Sequence, residues 1–270
     1  MILWDPSKVA FEIPFLHHPI AWYGICFATG FFLSYFVIRR EFFLYCHNQT
    51  LSAKLSERIT WVVIGATVVG SRLGEVFFYS WSYYKEHPAA IFKIWEGGLA
   101  SHGGVAAIIL ALVLYTIYSK KEVKGLTFLT VLDIASVPAS LGAAFIRLGN
   151  FMNQEIIGTP SSLPWAVIFG HPENGLTGSR HPVQLYESLF YFALFGFLYL
   201  LKKKPGSGKT SGLFFTALFG FRFIIEFFKE PQGEYEGGFL STGQLLSIPF
   251  IIMGLYLLYR KSRYFHQEEV

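Results

Sequence analysis

Four polar side chains that could act on a charged substrate follow a long apolar run in the middle of the chain. The run, roughly residues 125–146, is long enough to cross a bilayer. The polar residues that follow it are Arg147, Asn150, Asn153 and Glu155. An arginine at the centre of a membrane helix costs about 2.5–3.5 kcal/mol on translocon scales, so a chain that keeps such groups usually uses them. The pattern therefore indicates a site for a polar substrate.

The composition is typical of a polytopic membrane protein. Of the 270 residues, 53% are hydrophobic and only 15% are charged, whereas a soluble domain carries about 25% charged residues. The mean hydropathy of +0.42 agrees. Seven apolar segments, each near the roughly 20 residues that a spanning helix needs, predict an all-α bundle that forms one integral membrane domain over residues 1–270. The segments lie roughly at 19–38, 59–80, 98–118, 126–147, 182–201, 212–228 and 241–259.

The basic residues predict how these segments are oriented. Most lysines and arginines fall in alternate connections, which the positive-inside rule assigns to the cytoplasm. The N-terminus is then outside and the C-terminus is in the cytoplasm, as seven crossings require. The longest outward connection, about 148–181, contains several prolines and glycines and is predicted to be an irregular extracytoplasmic loop cap. The basic connections are 39–58, 120–124, 202–209 and 260–263.

Three other features are interpreted as structural. The stretch 202–210 imitates a phosphate-binding loop, but the position that needs the first glycine holds Lys203 and no strand precedes it, so a flexible basic turn is expected. Cys26 and Cys46 make no disulfide framework, and Cys26 is read as a small buried thiol. The net charge of +4 is modest and located in loops, which does not indicate nucleic acid.

The predicted orientation brings further polar residues to the outer half of the membrane. Tyr23 lies near the start of the first segment, His102 begins the third and Glu187 begins the fifth. Arg222 and Glu226 share a face of the sixth segment at i,i+4. Groups that converge at one depth are typical of a site.

A structural interpretation of such residues stays open for some of them. Arg72 and Glu75, three residues apart, could form an ion pair within the second segment, as could Arg222 with Glu226. A single histidine among glycines is more often structural. The spacing of Gly70 and Gly74 favours close helix packing. Only Asp133 lies toward the cytoplasmic half, apart from the other groups.

Residues 147–158 resemble the signature of the prolipoprotein diacylglyceryl transferase family. That signature is Arg, a small residue two later, Asn-Phe, an apolar residue, Asn, any residue, Glu, and Gly three further on. The family usually has Gly before the Arg, where this chain has Ile146, and the polar set is intact. Shorter family motifs match in the same order along the chain. They are Trp22-Tyr23-Gly24, His102-Gly103-Gly104, His181 to Glu187, and Arg222, Glu226, Lys229 and Pro231.

The resemblance implies an enzyme of the bacterial inner membrane. Members of this family move the diacylglyceryl group of phosphatidylglycerol onto the lipobox cysteine of a prolipoprotein, as the first step of lipoprotein maturation. A thioether forms and glycerol 1-phosphate leaves. The implied partners are phosphatidylglycerol, lipobox-containing prolipoprotein signal peptides and membrane lipid. No metal-binding motif such as His-Glu-x-x-His is present, and the chemistry requires no metal and no cofactor.

The residues suit those demands. Arg147 and Arg222 could hold the phosphodiester through their planar forks and stabilise charge on the leaving phosphate. A thiol with a pKa of about 8.5 is mostly protonated at neutral pH, so a base helps, and His102 is the candidate because the ordinary pKa of histidine lies near 6.5. Glu155 or Glu226 could instead orient an arginine. The expected substrate-binding residues are Tyr23, Arg147, Asn150, Asn153, Glu155, Glu187, Arg222 and Glu226.

Two other classes of membrane protein use similar residues. Intramembrane Arg, Glu and His also mark transporters, but the chain shows no inverted repeat and its polar groups cluster outward rather than near the midplane. An intramembrane protease would need a Gly-x-Ser-Gly serine or a pair of membrane aspartates, and the sequence contains neither.

Overall fold

The computed structural model describes residues 1–13, 18–94, 100–201, 204–230 and 239–260, without the side chains of His18, Tyr79, Ser101 and His102. The described strands are β1 (Ile2–Trp4), β2 (Val9–Ile13), β3 (His18–Ala21), β4 (Val167–Phe169) and β5 (Ser179–Arg180). The α-helices are α1 (Trp22–Cys46), α2 (Gln49–Gly74), α3 (Trp81–Tyr84), α4 (Ser101–Ser119), α5 (Phe128–Met152), α6 (Val183–Leu200), α7 (Lys209–Ile225) and α8 (Thr242–Tyr259).

Six of these helices are long and apolar enough to cross a membrane. They are α1, α5, α6, α8, α2 with the π-helical turn that extends it, and α7 with the 3-10 turn that extends it. A further apolar helix, α4, is described with its side chains only over Gly103–Ser119 and is shorter. By the length and composition of these helices, the expectation of an all-α polytopic membrane protein is confirmed. The seventh crossing, expected at about 98–118, coincides with α4 and stays a prediction.

The described chain divides into two compact units. One contains residues 1–38 and the described chain from Asp133 onward, and the other contains Arg39–Leu132. In the second unit α2 packs along α4. A Cβ atom on Gly74 would lie 2.8 Å from the α-carbon of Gly103, so only glycine permits this approach. The predicted packing role of the glycine pair in α2 is thereby confirmed.

Arg72 has a structural position in this second unit. Its side chain is buried, lies over the ring of Tyr84, and donates to the carbonyl groups of Ala90, Ile91 and Lys93. Glu75, which begins the π-helical turn after α2, accepts from the hydroxyl of Ser80 at 2.7 Å. The arginine thus fixes the 3-10 turn Pro88–Phe92 against the end of α2.

The core of the first unit lies between α1, α5, α6 and α7. Its fully buried members are aliphatic except for one tyrosine, and partly buried phenylalanines pack against them. A serine hydroxyl on α6, that of Ser188, donates to the carbonyl of Ala144 on α5 at 3.0 Å. This packing fixes α5 and α6 relative to each other near the polar residues at their ends. The buried members of the core are Val37, Val137, Leu141, Ala144, Tyr191, Leu194, Leu198 and Leu218.

The sequence predicted an irregular connection between α5 and α6, but the structure contains two short strands there. It contains β4 and β5, which pair antiparallel, and β4 also pairs in parallel with β1. Strands of two or three residues show no measurable alternation, which is why the prolines and glycines around them dominated the prediction. In addition, β2 and β3 form an antiparallel pair ahead of α1.

The turn before α7 is fixed by Asp133 rather than flexible. Asp133 Oδ2 accepts from the backbone N–H groups of Gly206 and Gly208 at 2.9 and 2.8 Å, and Oδ1 accepts from the N–H and hydroxyl of Ser211. A carboxylate of the chain itself therefore occupies the concave set of N–H groups that a phosphate would need. Lys203 lies outside the described residues.

Candidate active site

The polar motif that ends α5 folds into a hydrogen-bonded chain. Arg147 and Asn150 are three residues apart and share a helix face. Arg147 Nη1 donates to Asn150 Oδ1 at 3.0 Å, and Asn150 Nδ2 donates to Glu155 Oε1 at 2.7 Å. Gln184 Nε2, from α6, donates to the backbone carbonyl of Glu155 at 2.7 Å. These hydrogen bonds fix Arg147 relative to Asn150 and connect the turn at Glu155 to α6.

Glu187 is the centre of the charged cluster. It is completely buried in the second turn of α6, and its two oxygens face different cations. Oε2 lies 3.1 Å from Nε of Arg147, and Oε1 lies 3.1 Å from Nζ of Lys229. Oε1 also accepts from the hydroxyl of Tyr191 at 3.3 Å. A buried carboxylate needs such partners because its desolvation would otherwise be prohibitive.

Glu226 begins the 3-10 turn that follows α7, and Lys229 comes directly after that turn. Glu226 Oε2 lies 3.3 Å from Nζ of Lys229, so Glu226 pairs with this lysine rather than with Arg222. Burial lowers the pKa of the Lys229 ammonium, while the Glu187 and Glu226 carboxylates act in the opposite direction. The i,i+4 pairing considered from the sequence was wrong: the N–H of Glu226 still donates to the carbonyl of Arg222 in an α-helical turn, but the carboxylate faces the ammonium of Lys229.

Arg222 lies one turn earlier on α7 and is half-buried. Among the described residues, no carboxylate comes within 4 Å of its guanidinium, so it forms no ion pair there. It nevertheless acts electrostatically on Glu187, Tyr191 and Lys229. Arg222 therefore belongs to the same charged cluster and keeps its charge available to another anion.

Tyr23 approaches α5 at a position where the helix has no side chain. A Cβ atom on Gly149 would lie 2.9 Å from Cδ2 of the tyrosine. The phenol is close enough to Arg147 and Glu155 to interact with both electrostatically. Glycine in the motif thus admits the tyrosine ring beside the arginine.

The turn after α5 adopts an uncommon backbone. Gln154 and Ile156 both have φ near 57°, in the left-handed region that non-glycine residues rarely adopt. Such strain persists where surrounding contacts fix it, often at functional sites. Here the side chain of Gln154 accepts from the N–H of His171 at 2.7 Å, and Ile157 is fully buried.

Gly158 closes the motif where three segments meet. Its N–H donates to the carbonyl of His181 at 3.1 Å, and the residue forms an isolated bridge with Lys229. A Cβ atom here would lie 2.7 Å from Cβ of His181 and 2.8 Å from the carbonyl oxygen of Phe228. The motif needs glycine at this position because no side chain fits.

The structure brings most of the residues expected from the sequence into one place. Direct contacts link Arg147, Asn150, Glu155 and Glu187, and Glu226 joins them through Lys229. Tyr23 and Arg222 lie beside them. Asn153 lies close enough to Glu155 to favour its charged form, and the Oδ1 of Asn153 is buried without a hydrogen-bond partner among the described residues. Burial raises the pKa of Glu155. His102 is the second residue of α4, and its side chain lies outside the described part.

Two members of the cluster were not expected. Tyr191 follows Glu187 by four residues, so helical spacing alone could have placed the two on one face. Lys229 follows Glu226 by three and was noted only as part of a short motif. Its pairing with Glu187 joins residues 42 positions apart, which spacing along one helix cannot predict.

The whole chain is similar to proteins of a known family. A family model described as prolipoprotein diacylglyceryl transferase matches residues 8–260. The chain belongs to the prolipoprotein diacylglyceryl transferase family. It is 43% identical to the phosphatidylglycerol–prolipoprotein diacylglyceryl transferase of Tolumonas auensis, over 96% of each chain. It is 41% identical to that of Chloroherpeton thalassium, over 97% of this chain and 95% of the relative, and 36% identical to that of Protochlamydia amoebophila, over 97% and 96%.

Membership of the diacylglyceryl transferase family covers both compact units, because the matched residues run through each of them. The polar cluster around Glu187 lies in the first unit, and the start of α4 with His102 lies in the second.

Proposed function

We propose that this chain transfers the diacylglyceryl group of phosphatidylglycerol to the lipobox cysteine of a prolipoprotein. The cysteine sulfur attacks the glyceryl carbon that carries the phosphate, a C–S bond forms, and the C–O bond to phosphate breaks. Glycerol 1-phosphate leaves with the bonding electrons, and the thiol proton passes to a base. Family membership supports the reaction, and the orientation of Arg147 between Glu187 and Asn150 is the observation that carries it to this site.

The charge balance of the cluster suits a phosphodiester. Arg147, Arg222 and Lys229 surround Glu187 and Glu226, which leaves one positive charge in excess as long as Glu155 is protonated, the form that its burial favours. One phosphodiester anion would neutralise it. Arginine binds phosphate oxygens through two parallel N–H groups and stays charged when buried. The proposed headgroup site is therefore the space between the two guanidinium groups.

The guanidinium groups would also act on the leaving group. A phosphodiester carries one negative charge, and the departing phosphate monoester carries more. Cations already fixed in place stabilise that added charge without reorganisation, which lowers the barrier more than it strengthens binding. The buried carboxylate of Glu187 keeps Arg147 in position before the lipid arrives.

His102 is the proposed base for the substrate thiol. It lies at the start of α4, among glycines that allow close approach of other chain segments. A thiol with a pKa of about 8.5 is mostly protonated at neutral pH, so a base within hydrogen-bond reach raises the thiolate fraction. Tyr23, Asn150, Asn153 and Glu155 are proposed to contact the substrate lipid.

The proposal includes an orientation in the bacterial inner membrane. Seven crossings with the N-terminus outside and an extracytoplasmic cap over about 148–181 would put the charged cluster at the outer interface, where exported precursors arrive. Reporter fusions after Lys204 and Pro164 test this arrangement. The first should report the cytoplasm and the second the outside, and two fusions on the same side would contradict the arrangement.

One assay tests the reaction itself. The purified protein is incubated with phosphatidylglycerol and a lipobox peptide, and the peptide is examined by mass spectrometry. A mass increase equal to diacylglycerol minus water, located on cysteine, is the expected result. A peptide with serine in place of that cysteine is the control. Unmodified cysteine peptide under conditions where the protein remains folded would overturn the proposed function.

A further inference from the structure

Arg180 is a buried arginine outside the cluster described above. Its Nη1 donates to the carbonyl of Gly158 at 3.1 Å and pairs with the carboxylate of Glu230, and Nη2 donates to the carbonyl of Thr177 at 3.4 Å. The residue is 6% exposed, and its Nε finds no hydrogen-bond partner among the described residues. The side chain is thus inserted between separate chain segments.

The segments that Arg180 joins both lead to the charged cluster. Gly158 ends the strained turn that carries Glu155. Glu230 directly follows Lys229, and its N–H donates to the carbonyl of Ile157 at 3.1 Å. The Arg180–Glu230 pair therefore fixes the backbone directly after Lys229.

Stability alone does not account for this pair. A buried ion pair loses so much hydration that apolar residues of similar volume often replace it without loss of stability. The ammonium of Lys229, by contrast, must lie between the carboxylates of Glu187 and Glu226. A lysine stem is flexible, so the position of its backbone decides where the ammonium lies.

We propose that Arg180 is a positioning residue for Lys229, and through Lys229 and Glu187 for the guanidinium of Arg147. It does not touch the substrate. This inference rests on the proposed function, because the quantity that Arg180 would affect is the rate of diacylglyceryl transfer. Without the pair, the ammonium of Lys229 would shift relative to Glu187, and Arg147 would lose part of its fixed orientation.

The first experiment removes the pair without leaving a buried charge. Arg180→Gln alone strands Glu230 and can unfold the protein, so the main variant is Arg180→Met with Glu230→Met. Its melting temperature should match the wild type. Its kcat should fall by about tenfold with KM for phosphatidylglycerol within about twofold, the pattern of a lost transition-state interaction. Arg58→Gln, which loses a partly buried pair with Glu122 in the other unit, is the control and should keep wild-type kinetics.

The second experiment asks whether the effect passes through Lys229. Lys229→Gln is measured alone and combined with the two methionine substitutions. If Arg180 acts through Lys229, the combined variant should be about as active as Lys229→Gln, because neighbours in one network are not additive. Reductions that multiply would overturn the positioning role, as would a methionine variant with wild-type kcat. A wild-type protein that forms no thioether would overturn the proposed function together with this inference.

Discussion

The carboxylate of Glu226 lies against the backbone of Gly243, in the first turn of α8. A Cβ atom at position 243 would lie 2.5 Å from Cδ of Glu226. The atoms in the way are the end of a flexible side chain, so an added methyl group would displace the carboxylate rather than the helix. Gly243 thus leaves space for the carboxylate that pairs with Lys229.

Gly243→Ala should therefore lower activity without lowering stability. Alanine in a helix is favoured over glycine by up to about 1 kcal/mol, so the melting temperature should stay equal or rise. We expect kcat to fall by about tenfold, the effect of losing about 1.4 kcal/mol of transition-state stabilisation. Gly196→Ala in α6 is the matched control, since a Cβ there meets nothing within 4 Å. Equal activity of both variants would show that the position of Glu226 does not matter.

Arg147→Lys and Arg222→Lys should differ in stability and agree in activity. Each variant keeps the positive charge but loses the two parallel N–H groups of the guanidinium. The rate of transfer should therefore fall by about a hundredfold or more, as it does when an enzyme loses one oxyanion-hole donor. Only Arg147 gives up contacts, those with Glu187 and Asn150, so only Arg147→Lys should melt at a lower temperature. Thermal unfolding and the mass-spectrometric assay measure the two effects, with exposed Arg39→Lys as the control. Near-normal turnover in both would exclude the phosphate clamp.

Asp133→Asn should destabilise the protein. The amide places an NH₂ donor where one oxygen now accepts two or more hydrogen bonds from the turn before α7. A buried donor or acceptor left without a partner costs about 1–3 kcal/mol, so the midpoint of thermal unfolding should drop. Ser211→Ala loses only the contacts of the hydroxyl, with Asp133 Oδ1 and with the carbonyl of Gly208, and should cost about 1 kcal/mol or less. Equal effects of the two substitutions would mean that the turn does not depend on the carboxylate.

Glu155→Gln tests the pH dependence of stability. Burial raises the pKa of the Glu155 carboxyl, so the folded state favours its protonated form. Its contribution to stability is therefore present at low pH and is lost as pH rises through the raised pKa. Glutamine cannot ionise and still accepts from Asn150. As pH rises from about 4 to about 8, the melting temperature of the variant minus that of the wild type should increase. A variant that is less stable only at neutral pH would reverse this sign.

His102→Gln tests the proposed base. The variant keeps size and hydrogen bonding but cannot accept the thiol proton, so transfer at neutral pH should fall by about 10²–10⁴, the range for general-base catalysis. The defect should shrink as assay pH approaches about 8.5, where the substrate thiol ionises unaided. A defect of constant size across that range would indicate a structural role instead.

The membrane helices and the contacts within one helix could be predicted from the sequence, because local geometry determines them. Runs of about 20 apolar residues must satisfy their own backbone groups in a membrane, so the helices were predictable. The contact of Arg147 with Asn150 follows from helical spacing. The pairing of Glu187 with Lys229 was not predictable, because it depends on how α6 meets the end of α7. For the same reason Asp133 stood apart in the sequence while its partners lie in a turn read as flexible.

The parallel pairing of β1 with β4 sets an order of events during synthesis. Val167 is translated long after Ile2, with four apolar helices made in between. The first strand therefore waits unpaired while those helices enter the membrane, and the sheet closes only when the segment after α5 emerges beside it. Because loop-closure entropy must be paid before such a distant contact forms, this closure belongs to the late steps of folding. The charged cluster is completed later still, because Glu187 lies on α6 and Lys229 follows α7, and both helices are made after β4.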